Sequence, residues 1–205
     1  DLDESALSIS RNNGLTWNQL SLIDTAINRL VDIAPSPDGS TIYLASSNNS
    51  TNCSGFDSVW RTRSTPIGYK WERILCKATT SLPCTASQTD VSIIRLAGDS
   101  ADGKMMLWSA VGTRLVLYSP NHGETWNGIN PAFNVQDIAF EDSSTLYVLS
   151  SAGQVQKFIS GGVGWASSQL MPTGLDSAYS IAAAYTGLTP DNDKGHIIVG
   201  SAGSG

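Results

Sequence analysis

Two aspartates in similar surroundings are the strongest candidates for chemistry in this chain. Asp32 and Asp137 each precede the dipeptide Ile-Ala in a short apolar run. A glycoside hydrolase uses two carboxyl groups, one as general acid and the other as base or nucleophile, at a separation that sets the stereochemistry. The pair therefore indicates a hydrolytic site if the fold brings both side chains together. The alternative is that they line a wet channel with Ser92 and Ser180, which occupy the corresponding places in the other repeats.

Other chemistries are less well supported by residue type and spacing. Asp191 and Asp193 precede Gly195 like the start of a calcium loop with oxygen ligands, but the distal Glu is missing and a plain turn is favoured. His122 and His196 are far from the cysteines in sequence, and no Cys-x-x-Cys pair is present, which disfavours zinc. A catalytic Ser/His/Asp set and a phosphate-binding glycine loop are also not visible. We therefore predict no metal and no cofactor.

The segment 48–84 indicates an extracellular protein. It contains all three cysteines and the only glycosylation sequons of the chain, which begin at Asn48, Asn49 and Asn52. Cys76 and Cys84 bracket a short loop and are predicted to form a disulfide, while Cys53 stays open as an alternative partner for either. Glycosylation of the sequons is an expectation of the same kind.

The composition disfavours two classes of partner. Charged residues make up 15% of the chain, and its formal net charge is -6 at pH 7. A nucleic-acid surface needs a dense cluster of Lys and Arg, whereas the 12 basic residues here are scattered. No apolar run reaches the length of a membrane span. We expect neither nucleic-acid binding nor membrane insertion.

A repeated turn motif sets the architecture. The frame Ser-x-x-x-Gly-x-x-Trp appears in full at 10–17, 64–71 and 119–126, and a copy two residues shorter ends at Trp165. Its fixed positions are Ser10, Gly14 and Trp17, then Ser64, Gly68 and Trp71, then Ser119, Gly123 and Trp126. Successive motif tryptophans are roughly 40 to 55 residues apart, which is the size of one four-stranded propeller blade.

The runs between these motifs are typical of β-hairpins, and no sustained helical stripe occurs. We predict an all-β chain, a β-propeller of four-stranded antiparallel blades with almost no helix. It is one domain, with a half blade at 1–29, a blade carrying the Cys/Asn insertion at 30–85, blades at 86–133 and 134–175, and a half blade at 176–205. The two half blades either pair and close a four-bladed ring, or belong to an arc of a larger ring.

At these motifs the chain resembles the BNR or Asp-box repeat family of β-propellers, whose consensus is Ser-x-Asp-x-Gly-x-Thr-Trp between the third and fourth strands of a blade. The resemblance spans the whole chain and implies that the motif is a structural turn on the face away from any active site. Its Ser and Asp-position side chains bond the loop amides, and its Gly takes a conformation closed to other residues. Here the Asp position holds Asn12, Pro66, Asn121 and Gly162. Pro66 and Gly162 cannot bond the turn, so looser turns are expected there.

The resemblance implies a fold and not an activity, because the family includes sialidases, xyloglucan-type glycoside hydrolases, sortilin-type receptors and photosystem assembly factors. A sialidase is disfavoured, since the arginines lack the context of its carboxylate-binding cluster. Our first hypothesis is a non-catalytic extracellular or cell-surface module that binds a protein or carbohydrate through its blade-top loops, in a larger parent chain or a self-assembling layer. The alternative is part of a polysaccharide-degrading glycoside hydrolase with Asp32 and Asp137 as acid and base.

Overall fold

The computed structural model describes residues 4–9, 13–14, 18–24, 29–47, 58–63, 71–75, 92–160, 164–184 and 196–201. Every regular element among them is a β-strand, which confirms the all-β prediction for this part of the chain. The strands are β1 (Glu4–Ile9), β2 (Asn18–Asp24), β3 (Arg29–Pro35), β4 (Ile42–Ser47), β5 (Ser58–Thr62), β6 (Glu72–Leu75), β7 (Ser92–Leu96), β8 (Met106–Ala110), β9 (Val116–Ser119), β10 (Asn127–Ile129), β11 (Asp137–Asp142), β12 (Thr145–Leu149), β13 (Gln154–Ser160), β14 (Trp165–Pro172), β15 (Ala178–Ala183) and β16 (Ile197–Ser201).

These strands form three four-stranded antiparallel sheets and two hairpins. The first blade is β3 to β6, the second β7 to β10 and the third β11 to β14, with the strands of each blade in chain order. The N-terminal hairpin is β1–β2, and the C-terminal hairpin is β15–β16. Neighbouring sheets meet along their first strands, since β3 lies beside β7, β7 beside β11 and β11 beside β15. The sheets therefore fan around the first strands, as the blades of a propeller do.

The connections between strands lie at the two opposite ends of each blade. At one end, a connection joins the first strand to the second and another joins the third to the fourth; the 119–126 motif lies here, and we call this end the motif face. At the other end, a connection joins the second strand to the third, and the chain passes on to the next blade. We call this end the insertion face, because the segments 48–57 and 76–91 connect described strands there.

The hydrophobic core lies between sheets that face each other. One cluster fills the space between the first and second blades, another that between the second and third, and the last that between the third blade and the C-terminal hairpin. Burial of these side chains is the main force that holds consecutive sheets together. Representative members are, in that order, Tyr43 with Trp108, Leu107 with Ile138, and Leu149 with Ile181.

The strand register identifies the equivalent residues of successive sheets. The second strand pairs Leu44 with Ile33, Trp108 with Ile94, Val148 with Ile138 and Val199 with Ile181, and we call these four isoleucines the inner isoleucines. Ile94, Ile138 and Ile181 all face the preceding sheet. The residue before each inner isoleucine is Asp32, Ile93, Asp137 or Ser180. The sequence-based equivalence of Ser92 with the aspartates is therefore wrong by one residue, because strand register and not local similarity fixes the match.

The two terminal hairpins are separate sheets. No ladder joins β1 or β2 to β15 or β16, so the described strands are not a ring closed by the pairing of their two ends. The N-terminal hairpin nevertheless has the turn of a third and fourth strand. Asn13 and Gly14 have φ values of 56° and 83°, close to the 60° and 85° of His122 and Gly123 between β9 and β10.

Candidate functional site

A single guanidinium connects the two candidate catalytic aspartates. Arg95 Nη1 donates to Asp32 Oδ2 at 3.0 Å, and Arg95 Nη2 donates to Asp137 Oδ1 at 3.0 Å. Arg95 lies in β7, between the strands that carry the aspartates. The fold thus brings the two carboxylates together, as the catalytic hypothesis requires, but places a cation between them.

Backbone amides also donate hydrogen bonds to both oxygens of each carboxylate. Asp32 Oδ1 accepts a hydrogen bond from its neighbour Ile33 N at 2.9 Å, and Asp32 Oδ2 accepts one from Ile94 N in the second blade at 2.9 Å. Asp137 repeats this pattern with Ile138 N and with Ile181 N of the C-terminal hairpin, both at 2.9 Å. Each aspartate therefore bonds the first strand of the next sheet.

This arrangement is a clasp between sheets, and we call Asp32, Arg95 and Asp137 the inner clasp. Its hydrogen bonds either join neighbouring sheets or bond an aspartate to the amide of the next residue. Asp137 is nearly buried, and Asp32 is partly exposed. The contacts favour a structural role for both aspartates, and their catalytic role stays a prediction.

Sequence reasoning did not single out Arg95, although a signal was present. The residue after the inner isoleucine is alanine in the other three sheets, at Ala34, Ala139 and Ala182. Arginine at that position in the second blade is the exception. A comparison of the repeats in the correct register would have pointed to it.

The motif between β9 and β10 is held by its own side chains. Ser119 Oγ accepts a hydrogen bond from Gly123 N at 2.8 Å, and Asn121 Oδ1 accepts one from Thr125 N at 2.9 Å. Trp126 Nε1 then donates to Ile74 O of the first blade at 3.0 Å. The turn is therefore bonded to itself and to the preceding blade, and its polar groups are used in structure.

His122 lies within this turn and contacts the first blade. The Tyr43 hydroxyl donates to Gly103 O at 2.8 Å, so it accepts from His122 Nδ1 at 3.1 Å. The other ring nitrogen, Nε2, lies 3.4 Å from Asp102 Oδ2. Burial of the ring holds the pKa of His122 below its ordinary value, although the Asp102 carboxylate acts in the opposite direction.

A buried arginine of the first blade also holds this turn. Arg61 Nη1 donates to His122 O at 2.6 Å, and Arg61 Nε donates to Glu72 Oε2 at 3.0 Å. The hydrogen bond from Arg61 lowers the pKa of the Glu72 carboxyl. A second buried polar group lies in the third blade, where the Tyr147 hydroxyl donates to Glu141 Oε2 at 2.6 Å and Lys157 Nζ lies 3.6 Å from the same oxygen. Sequence reasoning missed both groups, since their members are far apart or unremarkable along the chain.

Tyr147 is not poised as a nucleophile. Burial and the hydrogen bond to Glu141 raise its pKa, so the phenol stays protonated.

Among the residues that the structure describes, no group of three or more His, Cys, Asp or Glu is placed to hold a metal ion. In the same part of the chain, no helix is long and apolar enough to cross a membrane.

Many of the residues singled out from the sequence lie outside the described residues. Of the motif positions, the structure describes Gly14, Trp71, Ser119, Asn121, Gly123, Trp126 and Trp165. Trp165 packs edge-to-face on Tyr118 of the second blade, with ring centroids 5.1 Å apart. The predictions that fall outside concern Ser10, Asn12, Trp17, Ser64, Gly68, Asn48, Asn49, Asn52, Cys53, Cys76, Cys84, Asp191 and Asp193, together with the looser turns expected at Pro66 and Gly162.

The chain is similar in structure to known β-propellers. The RRP9 WD40 repeats match it with a TM-score of 0.53 and 15% identity, over 77% of this chain and 45% of that one. The β-propeller domain of Myceliophteria thermophila Cps50 (Swd1) matches with a TM-score of 0.55 and 9% identity, over 88% and 56%. The GH74 enzyme of Niastella koreensis matches with a TM-score of 0.52 and 16% identity, over 92% and 25%.

These similarities show the fold. The chain spans about half or less of each of these three structures. No protein-family model matches it, and no curated protein matches it in sequence. The propeller prediction is therefore confirmed at the level of the fold, which many unrelated functions share.

Proposed function

We propose that the chain is a non-catalytic extracellular β-propeller module, built from Asp-box-type blades, that binds a protein or carbohydrate through its insertion face. The observation that supports it most is the inner clasp. Every oxygen of Asp32 and Asp137 accepts a hydrogen bond from a backbone amide, and Arg95 bridges the pair. The best acid and base candidates are thus already engaged in joining sheets.

The insertion face is the better candidate for partner binding because it carries the longest connection between described strands, the segment 76–91. The segments 48–57 and 76–91 both connect strands at this face, and they hold the cysteines and sequons. At the motif face, the 119–126 turn uses its polar side chains to bond itself and the first blade. Variable loops on a rigid scaffold are where binding residues concentrate.

A hydrolysis assay tests the non-catalytic role. The purified chain is incubated with soluble plant and microbial polysaccharides, and new reducing ends are measured. We expect no release above that of the Asp32→Asn and Asp137→Asn variants. We also expect both variants to lose about 1–3 kcal/mol of unfolding free energy in denaturant titrations, because a donor at the inner clasp loses a charged partner.

Asp176→Asn is the control, since it removes an exposed carboxylate outside the clasp and should leave stability unchanged. Release of reducing ends by the wild type, abolished by Asp32→Asn without loss of stability, would contradict the proposal. That result would establish the second candidate function, a polysaccharide-degrading glycoside hydrolase. The observation that favours this candidate is the proximity of the two carboxylates around one guanidinium.

A further inference from the structure

The first blade exposes an apolar position that is buried in the later sheets. Ile33 is 58% exposed, whereas the other inner isoleucines, Ile94, Ile138 and Ile181, are buried against the preceding sheet. Leu30 in the same strand is 37% exposed, and it lines an open cleft of about 340 Å³ together with Ile33. We call Leu30 and Ile33 the leading face. Leu44 and Trp60, which pack together in the same blade, are already buried within the chain.

The C-terminal hairpin exposes the side that, in the three blades, packs against the following sheet. Ile198 pairs with Ala182 in the position that Tyr43, Leu107 and Tyr147 occupy in the three blades. Those three side chains are buried against the following sheet, whereas Ile198 is 75% exposed. We call Ala182 and Ile198 the trailing face. It is the half of a blade interface that complements a leading face.

The two terminal hairpins are complementary parts of one blade. β15 and β16 are a first and second strand, and β16 has no strand beyond it among the described residues. β1 and β2 share their turn conformation with the third and fourth strands β9 and β10. Next to β16, a cavity of about 370 Å³ is lined by apolar residues of the third blade and the C-terminal hairpin, including Val155, Met171 and Val199. This is the place that a third and fourth strand would cover.

We propose that a second copy of this chain binds head to tail, with the leading face of one copy on the trailing face of the other. The β1–β2 hairpin of each copy then lies beside β16 of its neighbour and completes a four-stranded blade. Such a heterologous contact closes a ring when the rotation per copy fits. Two copies supply about eight blade equivalents, within the range of closed propellers.

Molar mass in solution, measured by light scattering from dilute to concentrated samples, tests this assembly. We expect the wild type to have twice the mass of the chain. The Ile33→Asp variant damages only the leading face, and the Ile198→Asp variant only the trailing face, so each alone should fall to the mass of one chain. Both positions are exposed within a single copy, and circular dichroism checks that each variant is folded.

Mixing the two variants identifies head-to-tail contact. The undamaged leading face of Ile198→Asp can bind the undamaged trailing face of Ile33→Asp, so the mixture should recover the mass of two chains. Ala132→Asp, which adds the same charge at an exposed site on neither face, should keep the wild-type mass. A wild type that stays at the mass of one chain, variants that stay dimeric, a mixture that stays monomeric, or a wild-type mass above two chains would each overturn the proposal.

Discussion

At the residue scale, successive sheets alternate in what they contribute to the contacts of the inner clasp. The first and third blades supply an aspartate, while the second blade and the C-terminal hairpin supply a backbone amide at Ile94 or Ile181. Arg95 in the second blade reaches both aspartates. The same contact, from a backbone amide of one sheet to a carboxylate of the preceding sheet, therefore joins pairs of sheets whose sequences differ. The two acidic residues at equivalent places thus both take part in the contacts that hold the sheets together.

His122 gives this fold a measurable dependence on pH. Its pKa is lowered because the ring is buried between the turn and the first blade, where Asp102 and Glu124 oppose the effect and Arg61 and Arg63 add to it. The unfolded chain then binds a proton that the folded chain releases. Stability should therefore fall as the pH drops below about 6.5, the ordinary value of histidine.

Proton titration by nuclear magnetic resonance tests this prediction directly, since the chain has only two histidines. The His122→Asn variant identifies the resonance of His122, and asparagine is the matched replacement because Asn13 has the same backbone conformation at the equivalent position. We expect a midpoint below 6.5 and a smaller loss of stability on acidification in the variant. A midpoint at or above 6.5 would show that Asp102, and not burial, dominates.

At the element scale, the turns differ in how much they depend on the neighbouring blade. Gly123 has a φ of 85°, and a Cβ added there would clash with the side chain of Ile74 in the first blade. Gly39 has a φ of 70°, but a Cβ there would meet open space. Gly39→Ala thus measures the cost of the left-handed conformation alone, about 1–2 kcal/mol. We expect Gly123→Ala to cost about 1 kcal/mol more, because Ile74 must shift.

Denaturant unfolding of the two variants gives this difference. Equal losses for Gly39→Ala and Gly123→Ala would mean that Ile74 repacks without cost and that the turn does not fix the spacing of the blades. An additional Ile74→Val change shortens the clashing side chain. It should recover part of the stability lost in Gly123→Ala.

The sequence predicted the elements better than their contacts. The hairpin runs and the Ser119–Trp126 motif are local patterns, so strand types and the blade period could be derived from them. The pairing of Arg95 with Asp32 and Asp137 joins residues that are 63 and 42 positions apart along the chain, respectively. The alignment of Ser92 with the aspartates was wrong by one residue because 91–93 (Val-Ser-Ile) resembles 31–33 (Val-Asp-Ile) locally, whereas strand pairing matches Ile94 with Ile33. A single-residue shift of this kind moves every side chain to the other face.

At the scale of the whole molecule, each sheet buries its apolar side chains against the neighbouring sheet. The core clusters lie between sheets, and a terminal sheet has a neighbour on only one side. Repeat proteins gain stability from such nearest-neighbour interfaces, and they need their end faces covered. The exposure of Ile33 and Ile198 at opposite ends of the arc follows from this principle.

The extracellular origin that we propose makes a prediction about the cysteines and the sequons. Three cysteines allow one disulfide among them, so this sequence secreted through an oxidising compartment should contain one, with Cys76–Cys84 favoured and Cys53 as the alternative partner of either. Alkylation before and after reduction, followed by peptide mass mapping, measures this. Glycosidase treatment should also lower the mass, and an Asn52→Gln variant shows whether that sequon is used. Three free thiols and no glycan on the secreted chain would contradict the proposed location, because a short loop bracketed by two cysteines then stays reduced where disulfides readily form.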